Sequence, residues 1–198
     1  MNKALALIIV CETTSLAKTD NVYLSALIDA YYGLYFQYGG ASGYPAKRVF
    51  LHVAGKGNII SSSTTKAIER AKRQFYPKEL FEIVPIICFD VDSKGKAEKA
   101  KNEALIRWCK KNGFLPMAFS KNIEQVLEVS HPEANKVDRA MYFKNTKKAY
   151  LKNERIKGKL SYSTEACLEG YNRANFALTM DKAVASMKNE KARRADEQ

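Results

Sequence analysis

A chain of 198 residues, 46% hydrophobic and 27% charged, is long enough for one packed α/β domain with an appendage and too short for a multidomain machine. That composition excludes wholesale disorder and the collagen-like and membrane classes. Thirty-three Lys and Arg against 21 Asp and Glu leave a net charge of +12, which favours polyanionic partners such as nucleic acid.

Met1 to Cys11 has a lysine and then an apolar run, but Glu12 follows where a signal peptide would place a small-residue cleavage site. No apolar stretch approaches the roughly 18 residues that cross a bilayer. Ala4 to Val10 instead reads as a strand buried on both faces. Asn21 to Gln37 is predicted helical, with Thr19 or Asp20 to cap it, and a Gly-rich turn over 39–43 closes the unit. Val49 to Ala54 reads as the second strand and Gly55-Lys56-Gly57-Asn58 as a loop. Ser63 to Tyr76 is predicted as a helix stopped by Pro77, and Glu82 to Phe89 as the third strand, in which Pro85 is out of place for a central position. Lys96 to Lys111 is predicted helical, Phe114 to Phe119 a fourth strand, and the stretch around Ile123 to Val129 a helix. Strands joined through helices of this length require crossovers, hence a parallel sheet with helices on its faces.

From about His131 the composition changes. Lys136, Arg139, Lys144, Lys147, Lys148, Lys152, Arg155, Lys157 and Lys159 face only Glu133, Asp138 and Glu154. Tyr142, Phe143 and Tyr150 are interleaved, a pattern suited to backbone contact with stacking on unpaired bases; the bland alternative is a solvated cationic helix face. Ser161 to Asn189 reads as one helix, and Lys188 to Gln198 as a fraying tail. Residues 1–130 are thus expected to form the catalytic domain, and 131–198 a basic, mainly helical extension packed on it.

The carboxylates carry most of the information. Glu12 follows the first strand at once; Asp90 and Asp92 follow the third. In a parallel sheet both places lie at the same edge, beyond which ligands collect. Residues 90 and 92 share a side-chain direction wherever strand geometry persists. Three carboxylates held close repel unless a hard cation such as Mg²⁺ neutralises them. The cysteines Cys11, Cys88, Cys109 and Cys167 are scattered without a CxxC pair, which indicates neither a zinc site nor a disulfide framework.

Leu7-Ile8-Ile9-Val10-Cys11-Glu12 and Ile87-Cys88-Phe89-Asp90-Val91-Asp92 resemble the two acidic motifs of the Toprim fold, over roughly residues 3–130. Within that fold the chain resembles the RloB-like family, with a more distant likeness to the overcoming-lysogenization-defect (OLD) nucleases. Thr19-Asp20-Asn21-Val22-Tyr23-Leu24 matches an RloB-like pattern with Asp20 in place of a glutamate. Ser120-Lys121-Asn122-Ile123-Glu124 and His131 look like a shortened form of a downstream motif, and Gly55-Lys56-Gly57-Asn58 looks like the glycine-lysine loop of OLD-type domains.

The resemblance implies a nuclease dependent on Mg²⁺ or Mn²⁺ that cleaves DNA or RNA, the effector of an anti-phage, abortive-infection system. Asp90 and Asp92 would bind metal, and Glu12 would either ligate it or take the proton from the attacking water. Glu124 either completes the shell or is a solvated helical glutamate; Lys56 and Lys94 either contact the scissile phosphate or are ordinary exposed lysines. Lys144, Lys147, Lys148, Lys152 and Arg155 are the expected nucleic-acid contacts. The chain holds no GxxxxGK[S/T] loop, which fits a family that works with a separate ATPase subunit. A cytoplasmic location is expected, homo-oligomerisation is left open, and the competing reading is a non-catalytic Toprim-like module that binds nucleic acid or a partner.

Overall fold

Leu5 to Val10, an unbroken apolar run, becomes the inner strand β1 (Ala4–Cys11), with both of its faces buried. The computed structural model describes residues 4–12, 19–37, 47–91, 95–129 and 135–196. In it β1 is flanked by β2 (Lys47–His52) and β3 (Phe81–Val91), and β4 (Leu115–Ser120) lies outside β3. All three pairings are parallel, in the order β2-β1-β3-β4. The chain is therefore α/β with a parallel sheet flanked by helices. It runs outward from β1 to β2, then returns past β1 to build β3 and β4. Sheets of this order have their switch point between β1 and β3, where the connections leave in opposite directions and a crevice opens.

Period-two alternation divides the core in two. Leu5, Leu7, Ile9 and Cys11 face one layer with Val84, Ile86 and Cys88, covered by α1 (Thr19–Gln37) and by α6 (Lys136–Lys152) and α9 (Phe176–Asp196). Ala6, Ile8 and Val10 face the other with Ile87, Phe89 and Val91, covered by α3 (Ser62–Lys72) and α4 (Gly95–Asn112). Each fully buried Leu or Ile contributes about 1.5–3 kcal/mol, so β1 alone anchors both layers.

Several local expectations need correction. Thr19 and Asp20 already lie inside α1. Gly55-Lys56-Gly57-Asn58 is not a loop: Gly55, at φ +79°, turns the chain into the single helical turn α2 (Lys56–Ile59). The third strand runs on through Asp90 to Val91. Pro85 is tolerated in it because β4 pairs with β3 only from Ile86 onward, so at Pro85 the strand has β1 alone beside it. The helix after β4 is only α5 (Ile123–Val126), capped by Asn122. The turn expected over 39–43 lies outside the described residues. No helix among the described residues is long and apolar enough to cross a membrane.

The helix expected from Ser161 to Asn189 is two helices, α8 (Thr164–Glu169), capped by Ser163, and α9, whose helical backbone continues to Asp196. The break between them serves the outer edge of β4. Ala174 bridges Phe119 in antiparallel fashion, and Ser120 N donates to Arg173 O at 2.8 Å. Asn175, 2% exposed, accepts from Ala118 N at 2.7 Å and donates to Pro116 O at 2.9 Å and Thr164 Oγ1 at 2.8 Å. An open strand edge is thereby covered. Asn175→Ala leaves the buried Ala118 N–H without its acceptor and is expected to cost about 2–4 kcal/mol, read as a lower urea midpoint at unchanged m-value.

Candidate active site at the carboxyl edge of the sheet

Cys11, the last residue of β1, stands opposite Cys88 of β3, so Glu12 leaves the sheet beside Phe89, just short of Asp90. Both carboxylates thus sit at the switch point. They depart from different faces. Alternation puts Asp90 on the side of Ile86 and Cys88, whereas Glu12 turns toward the α4 side, where its Oε1 accepts the backbone N–H of Lys56 at 3.0 Å. Asp92, two residues beyond Asp90, lies outside the described residues, as do Lys94 and His131.

The positive φ of Gly55 presents the Lys56 N–H to Glu12. The Lys56 side chain is 6% exposed, with Nζ 3.9 Å from Glu98 Oε2. Glu98 also pairs with Lys101 at 2.5 Å, and that hydrogen bond holds its carboxyl below the ordinary value. Lys56 is therefore an inward-facing lysine framed by Glu12 and Glu98 at the edge of the crevice. Glu124, on α5, forms an ion pair with Arg139 of α6 at 3.3 Å. That cation supplies to Glu124 the neutralisation a metal ion would otherwise bring.

Three of the four buried thiols are held protonated. The neighbouring Cys11 thiol, together with burial and the carboxylates of Asp90 and Asp20, pushes the ionisation of Cys88 well above the ordinary 9.0. Burial likewise pushes Cys109 and Cys167 up to about 12. A thiolate nucleophile at neutral pH is disfavoured at all three.

Asp20, at the start of α1, pairs with Lys136 at 3.6 Å. Burial raises its carboxyl above the ordinary 3.8, against the opposing pull of Lys136 and His52. His52 itself is hydrogen-bonded to Asn21 at 3.1 Å. The folded protein thus holds the Asp20 proton more tightly than the unfolded chain does, so its contribution to stability is greatest in acid and is lost as pH rises from about 4 through the folded value. Asp20→Asn is expected to remove that slope and to be the more stable form above it, measured by urea unfolding between about pH 3.5 and 7.

The basic segment is more occupied than its composition implies. Lys144 and Lys152 are exposed on α6, while the side chains of Lys147, Lys148 and Tyr150 lie outside the described residues. Arg155, on α7 (Glu154–Lys159), is bound to Glu128 at 2.7 Å; Lys159 shares that carboxylate, and Lys157 pairs with Glu154 at 2.5 Å. Phe143 is fully buried, with its ring 5.3 Å from that of Tyr23. It belongs to the core, which corrects its assignment to base stacking, whereas Tyr142 stays exposed.

Sequence reasoning missed the strap at Asn175 and the side chains around it. A lone Asn ahead of an apolar run reads as a helix cap, and nothing local signals a partner 57 residues away. Among the described residues no group of three or more His, Cys, Asp and Glu side chains is placed to hold a metal ion. Glu12 and Asp90 offer hard oxygen donors of the kind Mg²⁺ and Mn²⁺ prefer. They do not make a complete ligand set without Asp92. In comparisons with known proteins, the chain matches no family model, no curated protein and no solved structure.

Proposed function

We propose that this protein is a Toprim-type nuclease of RloB-like character that cleaves phosphodiester bonds of DNA or RNA with Mg²⁺ or Mn²⁺. The observation that supports it is the strand order: β1 and β3 are neighbours at the switch point, and each ends in a carboxylate, Glu12 and Asp90, at the same edge of the sheet though on opposite faces of it. Asp92 would join them as the third acid. A bound divalent ion would polarise the phosphoryl group and lower the pKa of a water.

The chain's own residues account for the remainder. The Lys56 N–H fixes the orientation of Glu12, leaving this carboxylate at the crevice as proton acceptor or ion ligand. The net charge of +12 concentrates a polyanion at the surface before any specific contact forms. An anti-phage role in the cytoplasm beside a separate ATPase subunit belongs to the same proposal and rests on the likeness to RloB-like chains.

The test is to incubate purified protein with mixed DNA and RNA in Mg²⁺, in Mn²⁺ and in EDTA. Cleavage confined to the metal-containing samples is the expected result. The competing reading is a non-catalytic nucleic-acid-binding module. That reading predicts binding that falls steeply with salt and is indifferent to metal.

A further inference from the structure

Beyond β4 the chain gathers two tyrosines and two cations that no step of the proposed chemistry uses. Lys121 follows the last residue of β4, and its N–H donates to Val91 O at 3.0 Å, which fixes it beside the end of β3 and the exit of Asp90. Its Nζ lies 5.0 Å from the ring centroid of Tyr171. Two residues on, the Arg173 guanidinium lies 4.7 Å from the ring of Tyr162. The bend that carries Tyr171 and Arg173 is tied to the sheet edge by the bond from Ser120 N to Arg173 O.

Tyr171 is 62% and Tyr162 37% exposed, unusual for rings with no core to fill. Lys121 and Asn172 both adopt positive φ, +72° and +56°. Asn tolerates that region, but for Lys it is a strained conformation, and such strain is retained where surrounding structure imposes it, often at binding sites. Gly170 adds a packing detail. A Cβ there would meet the Arg173 guanidinium at 2.6 Å, so the glycine makes room for the arginine to lie across it.

We propose that Lys121, Tyr162, Tyr171 and Arg173 form a platform for single-stranded nucleic acid, with an unpaired base stacked on Tyr171 and adjacent phosphates held by Lys121 and Arg173. Exposed rings interleaved with cations bind single strands in this way because every base has a stacking face and every nucleotide a charge. A duplex keeps its bases stacked internally and offers Tyr171 nothing beyond its backbone. The platform borders the Asp90 exit, so a strand lying on it runs toward the crevice between β1 and β3. The inference rests on the nuclease reading only for what happens to the strand once bound.

The experiment is fluorescence anisotropy with the full chain in EDTA, using labelled oligo(dT), oligo(U) and a duplex, each of about 20 nucleotides. Tyr171→Ala is expected to weaken single-strand binding about 5- to 100-fold and duplex binding little, and Tyr171→Phe to hold it. Lys121→Ala should weaken binding and flatten its salt dependence. Gly170→Ala, whose backbone at φ −127° accepts any residue, displaces Arg173 and should weaken binding without loss of thermal stability. Single-strand affinity unchanged in Tyr171→Ala, or reduced equally for duplex, overturns the platform. Tyr171-dependent binding without metal-dependent cleavage would leave the platform standing and remove the nuclease; cleavage indifferent to Tyr171 would do the reverse.

Discussion

Asp90→Ala is expected to lower metal-dependent cleavage by on the order of 10²–10³-fold while the protein stays folded. The substitution removes a half-buried carboxylate at the penultimate position of β3 but leaves the backbone ladder to β1 and β4 in place. It also removes one of the charges that suppress Cys88 ionisation, an effect minor beside the neighbouring Cys11 thiol and burial. Glu12→Gln sharpens the result, because an amide oxygen still accepts the Lys56 N–H that orients this side chain. It therefore separates charge from architecture. Rates measured by gel on a labelled strand, with circular dichroism as the control for folding, decide the matter. Wild-type cleavage by either variant would dissociate the two acids from the chemistry.

Phe143→Ala is expected to cost about 3–5 kcal/mol of stability, a large share of the roughly 5–15 kcal/mol that holds a typical domain together. The ring is fully buried in the layer beneath α1, against Tyr23. Its truncation opens a void in that layer beside the Tyr23 ring. Tyr142, one residue earlier on α6, points outward, and Tyr142→Ala should change stability by no more than about 0.5 kcal/mol. Urea unfolding of the pair measures both. Equal effects, or a reversed order, would mean that α6 presents a different face to α1.

The same contrast shows what the amino-acid pattern reveals and what it hides. β1 is legible because Leu5 to Val10 is too apolar for any position but the middle of a sheet, and the acids at strand ends follow from it. Phe143 was misassigned because an aromatic among lysines was weighed by composition, whereas helical period decides which side chain faces inward. The turn at Lys56–Ile59 is invisible for another reason. Four residues do not nucleate a helix alone; Gly55 and the bond from Lys56 to Glu12, 44 positions away, hold it. The break before α9 likewise answers to Phe119 and Ala118, not to any proline or glycine cluster nearby. Local signals found the elements; long-range hydrogen bonds placed the details of the edge.

The strap from Arg173 to Asn175 changes what the boundary near residue 130 means. Charge and composition shift there, yet the chain beyond it closes the outer flank of β4 and, through Phe143, Ile156, Leu160, Phe176 and Met180, supplies part of the layer on which β1 rests. A polypeptide ending at that boundary would bare the amide and carbonyl row of β4 together with the apolar side chains of one sheet face, the combination that recruits foreign strands. The segment beyond residue 130 is thereby joined to the sheet along the flank of β4 and under one of its faces.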